Sequence, residues 1–149
     1  MRVQNGLQKR VKKLFGGSLA ILHVDTGSSN AEEHELAALT NPYYDIERFG
    51  IHFVSSPRHA DLLIATGAVS RNMEHALRDA YQQMPDPKIV IAFGDAAIDG
   101  GVYKGSYAVL DGVHNVIPVN FQIPGNPPTP RVTIASLLKM LQILDEGKK

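Results

Sequence analysis

The chain has 149 residues, 44% of them apolar and 20% charged, and its fifteen basic and fifteen acidic side chains balance to a formal net charge of zero. That length suits one domain with a core large enough to fold without staples, and the absence of cysteine excludes disulfides, thiolate nucleophiles, Cys-ligated zinc and any iron–sulfur cluster held by the chain's own thiolates. Balanced charge also removes the broad basic field of a non-specific nucleic-acid binder, so nucleic acid is not an expected partner.

Met1 to Phe15 interleaves Arg2, Lys9, Arg10, Lys12 and Lys13 with Val3, Leu7, Val11, Leu14 and Phe15 at helical spacing. Residues 1–16 therefore read as a basic amphipathic N-terminal arm, either lying on a partner or an anionic membrane surface, or frayed in solvent. The segment lacks the apolar stretch and cleavage site of a signal peptide. Runs such as Leu62–Ala65 and Ile89–Phe93 fall far short of the roughly 20 residues of a spanning helix, and cytoplasmic exposure is the expectation.

Residues 17–149 read as a single domain. A strand is predicted over Leu19–Val24, followed by a turn-rich cluster and a helix over Ala31–Leu39 with Ser29 or Asn30 as cap and Glu32, Glu33 and Glu35 in and beyond its first turn. Further strands are predicted over Ile51–Val54, Asp61–Thr66 and Lys88–Phe93, with a helix over Asn72–Met84 between the last two. The final helix, Pro130–Leu144, has Thr129 as cap and Pro130 at its first position. Helices alternating with uninterrupted apolar strands give an α/β fold: a doubly wound, mainly parallel sheet with helices on both faces. Ligands of such sheets sit beyond the carboxyl ends of the strands. That draws attention to Asp25–Asn30, Gly94–Gly101 and Ile123–Pro128.

These loops and their flanks carry a resemblance. The segments HVDTGSSNAEEHELAAL, SPRHADLLIATGAVSRNM, FGDAAIDGGVY and IPGNPP resemble the small subunit of group 4 membrane-bound nickel–iron hydrogenases and its relative, the 20 kDa subunit of respiratory complex I. In that family the loops read approximately Gly-Ser-Cys-Asn-x-Cys-[Asp/Glu]-x-Glu, Gly-x-Cys-Ala and Pro-Gly-Cys-Pro-Pro, and their four thiolates hold a 4Fe-4S cluster. Carried across residue by residue, the four positions are Ser29, Glu32, Ala96 and Asn126, none of them cysteine. The resemblance runs from about Gly17 to Leu144. It implies a flavodoxin-like core, a hydrogenase-like or complex I-like large subunit and membrane-arm subunits as partners, and a peripheral location on the inner, cytoplasmic face of the membrane through those partners. Arg58, His59, Pro124, Gly125 and Pro127 are then the candidate interface positions, with a structural hydrogen-bonding role as the other reading of Arg58 and His59.

Each iron of such a cluster needs a terminal ligand, and alanine at 96 offers none, while serine, glutamate and asparagine offer harder oxygens than iron–sulfide chemistry favours. The expectation is a cluster-less homologue with no cofactor, not catalytic alone, acting as a structural or coupling subunit of a membrane-associated oxidoreductase-like complex. The alternative is a redox or ligand-binding subunit using a flavin, a nucleotide or an oxygen-ligated metal at the degenerate loops. Ser29, Glu32, Asp95 and Asn126, with Asp25 and Glu33, supply oxygens of the kind magnesium, calcium or manganese takes. Thr26–Asn30 looks like a flavodoxin-type phosphate loop, although carboxylates at 32 and 33 oppose a phosphate. His23 reads as a satisfied core histidine, and His34, His52, His75 and His114 show no metal spacing. No Gly-x-Ser-x-Gly elbow, Walker loop or His-Glu-x-x-His helix occurs.

Overall fold

Apolar runs without polar interruption form strands buried on both faces. Leu62–Thr66 shows this fully: alternation sends Leu62 and Ile64 to one face and Leu63 and Ala65 to the other, and every residue of the strand is buried. The structure, a computed structural model, describes residues 2–147. Its elements are α1 Arg2–Phe15, β1 Leu19–Asp25, α2 Ala31–Ala38, β2 Ile51–Val54, β3 Leu62–Thr66, α3 Glu74–Gln83, β4 Ile89–Phe93, α4 Asp95–Asp99, β5 Phe121–Ile123 and α5 Pro130–Glu146. The five strands are all parallel in the order β2-β1-β3-β4-β5, the flavodoxin-like doubly wound order. The expected α/β fold is therefore found, with a sheet entirely rather than mainly parallel.

One face of the sheet packs Leu19, Ile21, Leu62, Ile64, Ile91 and Phe93 against Leu36 of α2, Leu137, Met140 and Leu141 of α5, and Leu7 and Val11 of α1. The other packs Leu22, Leu63, Ala65, Val90 and Ala92 against Leu77 and Ala80 of α3, Ala97 of α4 and the segment through Val113, Val116 and Ile117. The segment read as an arm, partner-bound or frayed, is thus a helix with part of the core on it. Leu7 and Val11 are fully buried and α1 lies along α5, because an apolar stripe finds its cover within the same domain when a second amphipathic helix is adjacent. The side chain of Val3, and residues Met1, Lys148 and Lys149, lie outside the described residues.

Thr129 caps α5, its side chain accepting from the Val132 N–H, and Pro130 occupies the first turn as predicted. At α2 the cap differs. Asn30 stands at the N-cap with φ 71 and makes no side-chain cap, since capping side chains reach the free N–H groups from an extended backbone. Strand β5 and helix α4 fall where loops are read. β5 has three residues, and its ladder is lengthened by Asn120, which donates its N–H to Val90 O and accepts the Val90 N–H on Oδ1.

Candidate functional site

Beyond the carboxyl ends of β1, β4 and β5, three loops meet around a cavity of about 190 Å³ lined by Ser29, Glu32, Ala96 and Asn126 together with Asp95 and the exposed Val102 and Tyr103. All four positions carried over by resemblance thus share one cavity. Two of its walls are clasped by the backbone: Gly94 N–H donates to Ile123 O at 2.9 Å, Asp95 N–H to Gly125 O at 2.8 Å, and Gly125 N–H returns to Asp95 Oδ1 at 2.9 Å.

Glu32 dominates the interior. It is 2% exposed, and its Oε2 is fully buried with no hydrogen-bond partner. Room for its carboxyl comes from Gly94, whose φ of 91 favours glycine and where an added Cβ would stand 3.0 Å from Glu32 Oε1 and 3.1 Å from its Cγ. Native buried polar atoms are nearly always paired, which makes this oxygen the exception among the described residues.

The other oxygens read as one set are largely committed elsewhere. Asp25 accepts the N–H groups of Gly27 and Ser28, each at 2.9 Å. Glu33 accepts from Ser28 Oγ at 2.5 Å and from Thr66 Oγ1, while Thr66 Oγ1 lies 2.9 Å from His23 Nε2, which is 3.5 Å from Glu33 Oε1. Glu33 and His23 thereby form a half-buried network lining a separate groove with Leu36 and Phe53. Among the described residues no group of three or more His, Asp or Glu side chains converges as a metal site.

The donors present do not fit an iron–sulfur cluster. Ala96 contributes a methyl group, and the remaining positions contribute oxygen or amide groups where thiolates would be needed. A phosphate also fares badly at Thr26–Asn30, because Asp25 already occupies the loop's free N–H groups and Glu32 and Glu33 fill the first turn of α2. The β1/β3 switch point, where flavodoxin-like sheets receive a mononucleotide, is closed by backbone: Gly67 (φ 81) lies so near that a Cβ there would be 2.2 Å from Ser28 N.

Pro124, Gly125 and Pro127 stand on the loop beside the cavity, Pro124 exposed and Gly125 and Pro127 partly so. Arg58 and His59 are not with them. They are exposed on the turn Pro57–His59, which packs near α3, and the chain then enters β3 beside Ala20, the Asp61 N–H donating to Ala20 O. That places them on the amino half of the sheet, away from the cavity. Val102 and Tyr103, just past the Gly94–Gly101 loop, are the contributors missed in the sequence; the signal available for them was apolar and aromatic side chains in a loop otherwise made of glycine, lysine and serine.

The family model of the NADH ubiquinone oxidoreductase 20 kDa subunit matches residues 30–140. Formate hydrogenlyase subunit 7 of Escherichia coli is 41% identical over 140 residues, covering 94% of this chain and 53% of that protein, so the chain spans about half the length of that relative. The probable membrane-bound hydrogenase subunit mbhJ of Pyrococcus furiosus is 39% identical over 141 residues, covering 93% of this chain and 84% of its own length. Among solved structures, a chain of the membrane-bound sulfane sulfur reductase, an archaeal respiratory membrane complex, superposes with a TM-score of 0.79 at 30% identity over 97% of this chain and 77% of its own.

Proposed function

The chain belongs to the family of the NADH ubiquinone oxidoreductase 20 kDa subunit, and from that premise we propose that it is a structural or coupling subunit of a membrane-associated oxidoreductase-like complex, holding no 4Fe-4S cluster of its own. The observation that carries the reading is the cavity itself. Its loop frames persist while the donors around it are Ser29, Glu32, Ala96 and Asn126, a set that keeps the shape of a cluster site without the chemistry that binds one.

A fold kept without its electron carrier acts through its contacts. The exposed Val102 and Tyr103 line the cavity, and Pro124, Gly125 and Pro127 stand on the loop that carries Asn126 of its lining; this is where the large subunit docks. Arg58 and His59, on the amino half of the sheet, belong to a separate contact with another subunit. Among the described residues no helix is long and apolar enough to cross a membrane, so attachment to the inner, cytoplasmic face runs through membrane-arm partners. A flavin or nucleotide is disfavoured by Asp25, Glu32 and Glu33 at the loop where its phosphate would sit.

The test is iron, sulfide and absorption analysis of the complex purified without oxygen through a tag on this chain. An associated large subunit, with no cluster assigned to this chain, is the expected result. Iron and sulfide at cluster stoichiometry on this chain, or a bound flavin, would overturn the reading.

A further inference from the structure

The unpaired Oε2 of Glu32 is the one buried side-chain oxygen or nitrogen without a partner among the described residues. Leaving a carboxylate oxygen in that state is strongly unfavourable, and a folded protein normally keeps such a group only where something pairs with it. Glu32 lines a cavity with many times the room one water needs. No basic side chain lines it, and Asp95 adds a second carboxylate whose Oδ1 alone is engaged, by Gly125.

A free divalent cation is a poor occupant. Calcium takes six to eight oxygens and magnesium a near-octahedral shell, whereas only two of the oxygen-bearing side chains lining the cavity are carboxylates, the others being the Ser28, Ser29 and Tyr103 hydroxyls and the Asn126 amide, with Ser28 Oγ already donating to Glu33, and no metal-type cluster is found among the described residues. The wall toward solvent is apolar, with Val102 86% and Tyr103 47% exposed. An arginine or lysine suits both parts: its charged head supplies donors to a buried carboxylate, and its aliphatic stem packs on apolar surface. Resting on the reading that a large subunit docks at this edge, we infer that the cavity is a socket for a basic side chain of that subunit, which pairs with Glu32 where relatives of the family hold their cluster. The partner surface crosses Val102 and Tyr103 and inserts this side chain between the loops of Ser29, Ala96 and Asn126.

The test compares the full wild-type chain with Glu32→Gln. Two quantities are read: retention of the large subunit in the complex purified from native membranes, and the melting temperature of the free chain. The expected result is a loss of large-subunit affinity of roughly thirtyfold or more, as for breaking a buried charge pair, with a free chain that melts at the same or a higher temperature. A photo-crosslinker at Val102 then identifies the facing peptide, and neutralising its basic residue adds little to the loss already caused by E32Q. Equal retention by both chains overturns the inference, as does a fall in the melting temperature of the free E32Q chain, which would give Glu32 a partner within its own fold. Stabilisation of the wild-type chain but not E32Q by manganese or magnesium alone would assign the cavity to a metal instead. Recovery of no large subunit with the wild-type chain overturns the preceding reading and this one together, whereas recovery of it in equal amount by both chains overturns this one alone.

Discussion

Replacing Leu7 with alanine tests whether the first helix is part of the domain. Leu7 is fully buried in the core cluster that includes Leu137, Met140 and Leu141 of α5. The change removes three carbons, worth about 2.4 kcal/mol at roughly 0.8 kcal/mol per buried methylene, and the cavity left behind raises the cost to about 3 kcal/mol, within the range of buried Leu→Ala replacements. A domain of this size shifts its melting temperature by about 2–4 °C per kcal/mol, so a fall of about 6–12 °C is expected. The assay is thermal and urea unfolding of the free chain followed by circular dichroism, with Lys9→Ala, an exposed position on the same helix, as the control expected to stay within about 0.5 kcal/mol. A Leu7→Ala chain as stable as that control would refute the packing argument and return the segment to a free arm.

Three further outcomes are expected. Gly16 and Gly67 share a left-handed backbone (φ 72 and 81), but an added Cβ meets nothing at 16 and comes within 2.2 Å of Ser28 N at 67; Gly16→Ala costs about 1–2 kcal/mol, and Gly67→Ala exceeds about 4 kcal/mol or prevents folding in the same unfolding assay. Replacing Ser29, Glu32, Ala96 and Asn126 together with cysteine restores four thiolates around one cavity, so anaerobic reconstitution with iron and sulfide gives a visible iron–sulfur absorption that any triple replacement gives more weakly. The Asp99 carboxyl is held below the usual carboxylate range by the Gly101 N–H at 3.0 Å and, less strongly, by Lys104. A lowered native pKa means that its contribution is present above the unfolded carboxylate range and fades as pH falls through the lowered value; an NMR titration in which Asp99 protonates no later than a free aspartate would contradict the contact.

Strands β1, β3 and β4 and helices α3 and α5 were legible because their signals are local: apolar runs of strand length, and Thr129 and Pro130 where α5 begins. Strand β5 was not. Only Ile123 of its three residues is buried, with Phe121 partly so and Gln122 exposed, and Asn120 and β4 make it a strand rather than its own composition. The stripe of Leu7 and Val11 was readable on α1, but its cover lies more than a hundred residues away on α5, a pairing no local pattern encodes. At the site, Ser29, Glu32, Ala96 and Asn126 were found through resemblance alone, as spacing gives no reason to join them. The burial of Glu32 was hidden because a glutamate in a helix's first turn satisfies the dipole without being enclosed, and what encloses it is Gly94, distant in sequence. Arg58 and His59 show the converse: a recognisable segment whose position in the sheet separates it from the loops it was grouped with.

The clasp between Asp95 and Gly125 bears on how such a subunit matures. Where a metal cluster bridges loops, final shape waits on iron delivery and is vulnerable to oxygen. Here peptide groups and the Asp95 carboxylate close the same two loops, so the proposed docking edge would take its form at folding. If the chain is the cluster-less subunit proposed above, a newly made copy joins its assembly without an insertion step, whatever the iron supply of the cell.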